Sequence, residues 1–135
     1  GRLNNNRTPI LSCSQPSDRF TVDESKGNGE LEYPIGLITA DEASMAGGVV
    51  SIVNTRYYLY TGQTYWTLSP SYFSSWNANA FVWSVYSTGS LGNYWVPTHY
   101  GVRPVVNLKA DVLITGGDGT AINPYLVTLL TDSFE

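Results

Sequence analysis

Charge is scarce in this sequence, and it is missing altogether from one long stretch. No Asp, Glu, Lys or Arg occurs from Tyr57 to Val102. Charged residues make up only 13% of the chain and the net charge is −4, so binding to nucleic acid or to anionic lipid is not expected. Cysteine is almost absent too. The single thiol, Cys13, excludes an intrachain disulfide framework and any cysteine-based zinc site. It reads as a small buried hydrophobe, or else as a thiol whose partner lies upstream in a longer protein. No apolar run reaches bilayer-spanning length, so no membrane insertion by this segment is expected. No signal peptide is visible, and the opening Gly1-Arg2-Leu3-Asn4-Asn5-Asn6 reads as a cut made inside a longer protein.

Aromatic rings fill the space that charge leaves. Of 18 aromatic residues, 14 lie between Tyr57 and Tyr100, including all four Trp. The flanks differ: residues 1–56 carry five basic and seven acidic groups, and residues 103–135 carry two and four. Ser, Asn, Gly and Pro interrupt the neutral stretch, which excludes a transmembrane span, and its aromatic density argues against disorder. A folded surface remains. The abundance of Tyr, Ser, Thr, Asn and Gly suggests an extracellular or cell-surface β-rich domain.

The chain reads as short strands with one helix. Tyr33–Ile38 is an apolar strand, expected to be buried, after a turn at Gly27-Asn28-Gly29. Thr39-Ala40-Asp41-Glu42 has the form of a capping box, so a short helix near residues 40–46 should start there and stop at Gly47-Gly48. Tyr57–Tyr60 is strand-like. Tyr65–Ser69 is a strand ending at Pro70, Ala80–Tyr86 is a strand rich in β-formers, and Asn93–Val96 ends at Pro97. Val102–Leu108, Val112–Thr115 and Pro124–Leu129 continue the pattern, with a turn at Gly116-Gly117-Asp118-Gly119. The class is α+β with short antiparallel strands.

Particular segments carry the resemblance to a known family: Tyr65-Trp66-Thr67-Leu68-Ser69-Pro70, Asn79-Ala80-Phe81, Ser87-Thr88-Gly89 and Gly101-Val102-Arg103-Pro104-Val105-Val106-Asn107-Leu108. Together they resemble the C-terminal half of the C-type lectin fold. The nearest variant is that of formylglycine-generating-enzyme-like domains and of the variable proteins of diversity-generating retroelements. The resemblance covers roughly residues 33–130. It implies a Tyr-Trp strand entering a site, an exposed strand and loop, and a Val-Arg-Pro strand returning to the core. In those variable proteins diversity lies between the Tyr-Trp and Val-Arg strands, which here is Ser71 to Tyr100. Residues 1–135 would then be a single domain of this kind, the C-terminal part of a longer surface protein. The calcium-binding triplets of sugar-binding lectins (Glu-Pro-Asn, Gln-Pro-Asp, Trp-Asn-Asp) do not occur, and Trp76-Asn77 is followed by Ala78, which cannot ligate calcium. One cysteine cannot supply the pair used by formylglycine-generating enzymes. No metal and no cofactor are therefore expected.

The candidate site residues fall in three groups. Ser74, Ser75, Trp76 and Asn77 follow the Tyr-Trp strand and combine one rigid ring with adaptable hydrogen-bonding groups, as antibody paratopes do. Trp83 and Tyr86 lie on the next strand, where Phe81, Trp83 and Val85 share one face and Ala80, Val82, Ser84 and Tyr86 the other; Trp83 is equally readable as core. Asn93, Tyr94 and Trp95, with Thr98, His99 and Tyr100, sit on the return loop. His99 has no nameable carboxylate or nucleophile beside it, so a hydrogen-bonding surface role is preferred to general base chemistry. Arg103 reads as a semi-buried structural residue with its donors on backbone carbonyls or a carboxylate, and Asp118 as part of a tight turn. The expected function is a ligand-binding display domain recognising a protein or glycan. The alternative is a structural subunit of a pilus-like assembly with the aromatic stretch at a subunit interface. An enzyme is not expected, because a glycoside hydrolase, for example, needs two convergent carboxylates and the aromatic region has none.

Overall fold

A computed structural model of the protein describes residues 2–120 and 122–129. It is a sheet-rich α+β arrangement with few helices. In chain order the elements are β1 (Ile35–Leu37), α1 (Ala40–Met45), β2 (Tyr65–Ser74), β3 (Asn79–Val85), β4 (Leu91–Trp95), β5 (Pro104–Val106), β6 (Val112–Gly116) and β7 (Leu126–Leu129). They form an antiparallel meander β2-β3-β4 and two antiparallel pairs, β1-β5 and β6-β7.

The helix begins where its cap predicts. The Thr39 hydroxyl accepts from the Glu42 N–H at 3.1 Å and the Thr39 N–H donates to the Glu42 carboxylate at 2.8 Å. At the other end Gly48 N–H donates to Ala43 C=O and Gly47 N–H to Ser44 C=O, the pair of bonds that closes a Schellman ending. Ala40 and Ala43 are fully buried, so α1 presses a flat, small-residue face onto the meander.

The core is assembled on that face. Ile38, Ala43, Tyr57, Leu59, Tyr65, Val85 and Leu91 form one buried cluster, with Val50, Tyr60 and Trp83 packed against it. Each fully buried large side chain contributes about 1.5–3 kcal/mol. Buried Tyr hydroxyls need partners, and they have them: Tyr57 donates to Gly89 C=O and Tyr65 to Leu59 C=O, both at 2.8 Å. Gly89 has φ +76° and a Cβ there would run into the Asn54 carbonyl, so the tight turn between β3 and β4 requires glycine.

Several sequence expectations need correction. The Tyr33–Ile38 segment is not buried throughout: β1 spans only Ile35–Leu37, Tyr33 and Ile35 are exposed, and Ile38 alone reaches the core. Tyr57–Tyr60 is not a strand. Tyr60 N–H donates to Tyr57 C=O, closing a turn that still sends Tyr57 and Leu59 inward. Pro70 does not end β2. The strand runs on to Ser74, with register shifts on both sides of Pro70, and a bulge is where a strand tolerates proline. The irregularity lets β2 serve two neighbours, because Leu68 N–H donates to Ile38 C=O and the Ser69 hydroxyl accepts from Ala40 N–H. Cys13 is exposed rather than buried. Its loop is exposed from Leu11 to Phe20, and its thiol donates to Gln15 C=O at 3.1 Å.

Other expectations agree with the structure. Arg103 is half-buried, donates to Leu59 C=O at 3.0 Å and lies over the Tyr65 ring. Asp118 caps its own turn by accepting from Thr120 N–H at 3.0 Å.

Candidate aromatic binding face

The meander has two faces, and strand alternation decides which ring goes where. On β3, Val85 and Ser84 are both fully buried although they point oppositely. Both sides of the inner end are therefore covered, and only the outer end of the sheet can offer a surface.

One face gathers Trp66, Val82, Tyr86, Tyr94 and Tyr100. Register places Trp66 beside Ser84 and Tyr94 beside Val82. Tyr100 arrives from outside the sheet. Gly101 N–H donates to Thr64 C=O at 2.9 Å, and Trp66 N–H donates to Gly101 C=O at 3.0 Å. This pins the chain alongside β2 and lays the Tyr100 ring 4.7 Å from that of Trp66. Tyr94 follows at 5.8 Å from Tyr100, tilted by 48°. Such separations and tilts lie in the favourable range for aromatic pairs. Tyr86 completes the edge. Its hydroxyl donates to Asn93 C=O at 3.0 Å, and its ring covers Gly92, where any Cβ would collide with it. Tyr94 is 42% exposed, while Trp66, Tyr86 and Tyr100 are half-buried. Burial, then the neighbouring phenols of Tyr86 and Tyr94, push the Tyr100 hydroxyl above its ordinary pKa, so the Tyr100 hydroxyl stays a neutral donor at physiological pH. The Ser84 hydroxyl, buried on this same face, meets no hydrogen-bond partner among the described residues.

The opposite face carries a second row. Tyr72 stacks on Phe81 at 4.4 Å and 8°, and Trp95 is the cross-strand partner of Phe81. Trp83 and Asn93 form the next cross-strand pair inward. With Tyr72 they line a cavity of about 470 Å³ whose other wall includes Arg2, Leu3 and Asn4 of the N-terminal helical turn Arg2–Asn6. That turn is held down by an ion pair between Arg2 and Asp41, and the Asp41 carboxylate also accepts from Ile10 N–H at 2.8 Å. A larger cavity of about 740 Å³ lies beside the exposed loop Ile10–Phe20 and reaches the start of α1. Of the three acids lining it, Asp41 and Glu42 are committed to Arg2 and to the helix cap, and Asp18 accepts from the Ser17 hydroxyl at 3.4 Å.

The twelve residues expected from the sequence thus do not share one surface. Tyr94 and Tyr100 do come together, with Tyr86 beside them. Asn93, Tyr94 and Trp95 lie on β4, as the strand expected at Asn93–Val96 implies and the return-loop grouping does not, so alternation sends Trp95 and Asn93 to the other face, with Trp83. Trp83 is half-buried against the core. Ser74 ends β2, and Ser75, Trp76 and Asn77 form the tip of the β2-β3 turn, where Trp76 is 93% exposed. Thr98 and exposed His99 follow the turn after β4. Three ring residues, Trp66, Tyr72 and Phe81, belong to these surfaces and were not singled out as site residues. Period-two alternation from Tyr65 inward would have placed Trp66 outward, but the bulges at Pro70 hide Tyr72 from the same rule.

No family model, curated protein or solved structure matches this chain. The arrangement itself offers stacking area and neutral hydroxyl donors. Among the described residues no three His, Cys, Asp or Glu side chains gather as metal ligands would, and no described helix is long and apolar enough to cross a membrane.

Proposed function

We propose that this protein is a ligand-binding display domain of the C-type lectin fold, exposed outside the cell, that recognises a protein or glycan target through its charge-free aromatic face. The single observation that carries the reading is the contiguous set Trp66–Tyr100–Tyr94 on one side of the meander, within a stretch that carries no ionic group. Rigid rings with hydroxyl handles give contact area at low entropic cost, and clustered Trp and Tyr are the usual energetic centre of an interface. Supporting the fold reading, the Tyr-Trp segment opens β2, and Val102-Arg103-Pro104 leads into β5, which pairs with β1 beside the helix. The role is binding rather than catalysis. In this reading the diversified window runs from Ser71 to Tyr100, and a neighbouring reverse transcriptase gene with a near-duplicate repeat differing at adenines would be its genomic signature.

The test is a screen against neutral and charged glycan arrays and displayed peptides, followed by titration of the best ligand. The double variant Tyr94→Ser/Tyr100→Ser is expected to weaken that ligand by about 10–100-fold with an unchanged melting temperature. A ligand that binds the double variant as well as the parent, or no ligand in either screen, overturns the proposal.

A further inference from the structure

Among the described residues the β6-β7 hairpin stands apart from the other strands and the helix. None of its described strand residues is buried, and its substantial element contacts are internal to the pair. A lone two-stranded hairpin is marginal in water and needs a covered face to persist. This one has a face to cover. Register pairs Val112 with Leu129 and Ile114 with Val127, so four aliphatic side chains share one side. Ile114, Val127 and Leu129 are 61%, 51% and 58% exposed. Neither strand contains a charge or a proline, the devices by which exposed strands normally avoid pairing.

We infer that this face is the self-association surface of the protein, covered by the same face of a second copy about a twofold axis. The chemistry suits an identical partner. The chain as a whole is negative, at −4, yet the strands are neutral, so two copies meet there without like-charge repulsion. A twofold arrangement sets one patch against itself, which is the commonest way a chain makes a dimer. With exposed Tyr125 at the rim, each copy presents at most on the order of 500 Å² on this face, and two copies would bury on the order of 1,000 Å², the lower end for a specific interface. The dimer is therefore expected to be concentration-dependent rather than permanent. The aromatic face takes no part in it, so a dimer would hold two such faces on one particle and raise avidity for a repeated target.

The test is sedimentation velocity of the chain from low micromolar to near-millimolar concentration, with Ile114→Thr/Val127→Thr as the variant. Threonine keeps strand propensity and removes apolar surface. All four Trp lie outside the hairpin, so Trp fluorescence reports independently that the variant is folded. The expected result is a reversible dimer that the double substitution weakens at least about tenfold and that Tyr94→Ser/Tyr100→Ser leaves intact. Hydrogen exchange on the unaltered protein adds a reading that needs no variant: protection at Leu126–Leu129 should rise with concentration while β3 stays constant. A monomer at every concentration, a dimer indifferent to the threonines, or exchange in β7 independent of concentration overturns the inference.

Discussion

β3 and β6 are built from the same kinds of residue and meet opposite fates. Ala80-Phe81-Val82-Trp83-Ser84-Val85 ends on two fully buried side chains, whereas Val112-Leu113-Ile114-Thr115 has none. Propensity and hydrophobicity do not separate them. Coverage does: β3 has a strand on each side and α1 against its inner end, while β6 has β7 alone. Forming a strand and burying it are thus different achievements, and stability should concentrate where both occur.

The sharpest way to break this contrast is a matched pair of truncations. Leu91 is 1% exposed and Leu126 is 61% exposed. Leu91→Ala should cost about 2–5 kcal/mol, the transfer loss plus an unfilled cavity. Leu126→Ala in the dilute chain should stay within about 0.5 kcal/mol. Urea denaturation followed by Trp fluorescence measures both, and equal costs would dissolve the distinction between the two regions.

Alkali offers a second probe of the covered region. Burial, then the neighbouring Tyr65, pushes the Tyr57 phenol up to about 12, with Arg103 pulling the other way. The folded state therefore holds its proton where the unfolded chain, titrating near the ordinary phenol value of 10.0, has already lost it. Stability is fully present below pH 10.0 and falls as pH rises toward about 12, by on the order of 2 kcal/mol. Tyr65 is raised for the same reason, burial first, and adds to the same window. Tyr57→Phe should flatten part of that slope while losing about 1 kcal/mol from the missing bond to Gly89. A denaturation midpoint independent of pH across this range would show that these phenols are hydrated.

The N-terminal turn tests an intermediate case, a segment covered by one polar tie. Burial raises the Asp41 carboxyl, but the Arg2 guanidinium and the Ile10 N–H outweigh it and hold the group below its usual range. Asp41→Asn should cost about 1 kcal/mol and expose the first ten residues to limited proteolysis. The stability lost by the variant should match what the parent loses as pH falls through the depressed carboxyl pKa. Proteolysis unchanged by the substitution would mean that Leu3, which is 6% exposed, anchors the segment unaided.

Local chemistry was legible in the sequence, and coverage was not. The capping box at Thr39 and Glu42, the turn at Gly116-Gly117-Asp118-Gly119 and the faces of β3 follow from short-range rules, and the structure has them. Pro70 was misread because a bulge needs tertiary partners, Ile38 and Ala40, that no local pattern reveals. Tyr57-Tyr58-Leu59-Tyr60 has the composition of a strand but no neighbour to pair with, so it turns. The concentration of rings was evident, and a strand at Asn93–Val96 by itself sends Tyr94 and Trp95 to opposite faces; grouping these residues with the return loop as one surface is what hid the division. The isolation of β6-β7 has no sequence signal at all, since each strand alone looks like core.

The smallest stability effect belongs to the most conspicuous residue. Trp76 sits at the tip of the β2-β3 turn, beyond the last cross-strand pair Ser74–Asn79, and it is 93% exposed. Within the well-covered meander it behaves as a hairpin residue does, because nothing packs on it. Trp76→Ala should change stability by less than about 0.5 kcal/mol. Its effect on ligand affinity then separates two geometries. A ligand lying on Trp66, Tyr94 and Tyr100 alone should lose little, whereas one long enough to reach the turn should lose about tenfold. Paired isotherms of Trp76→Ala and Tyr100→Ser against one ligand read the extent of the footprint, and a loss of stability in the first would mean that the tip is packed after all.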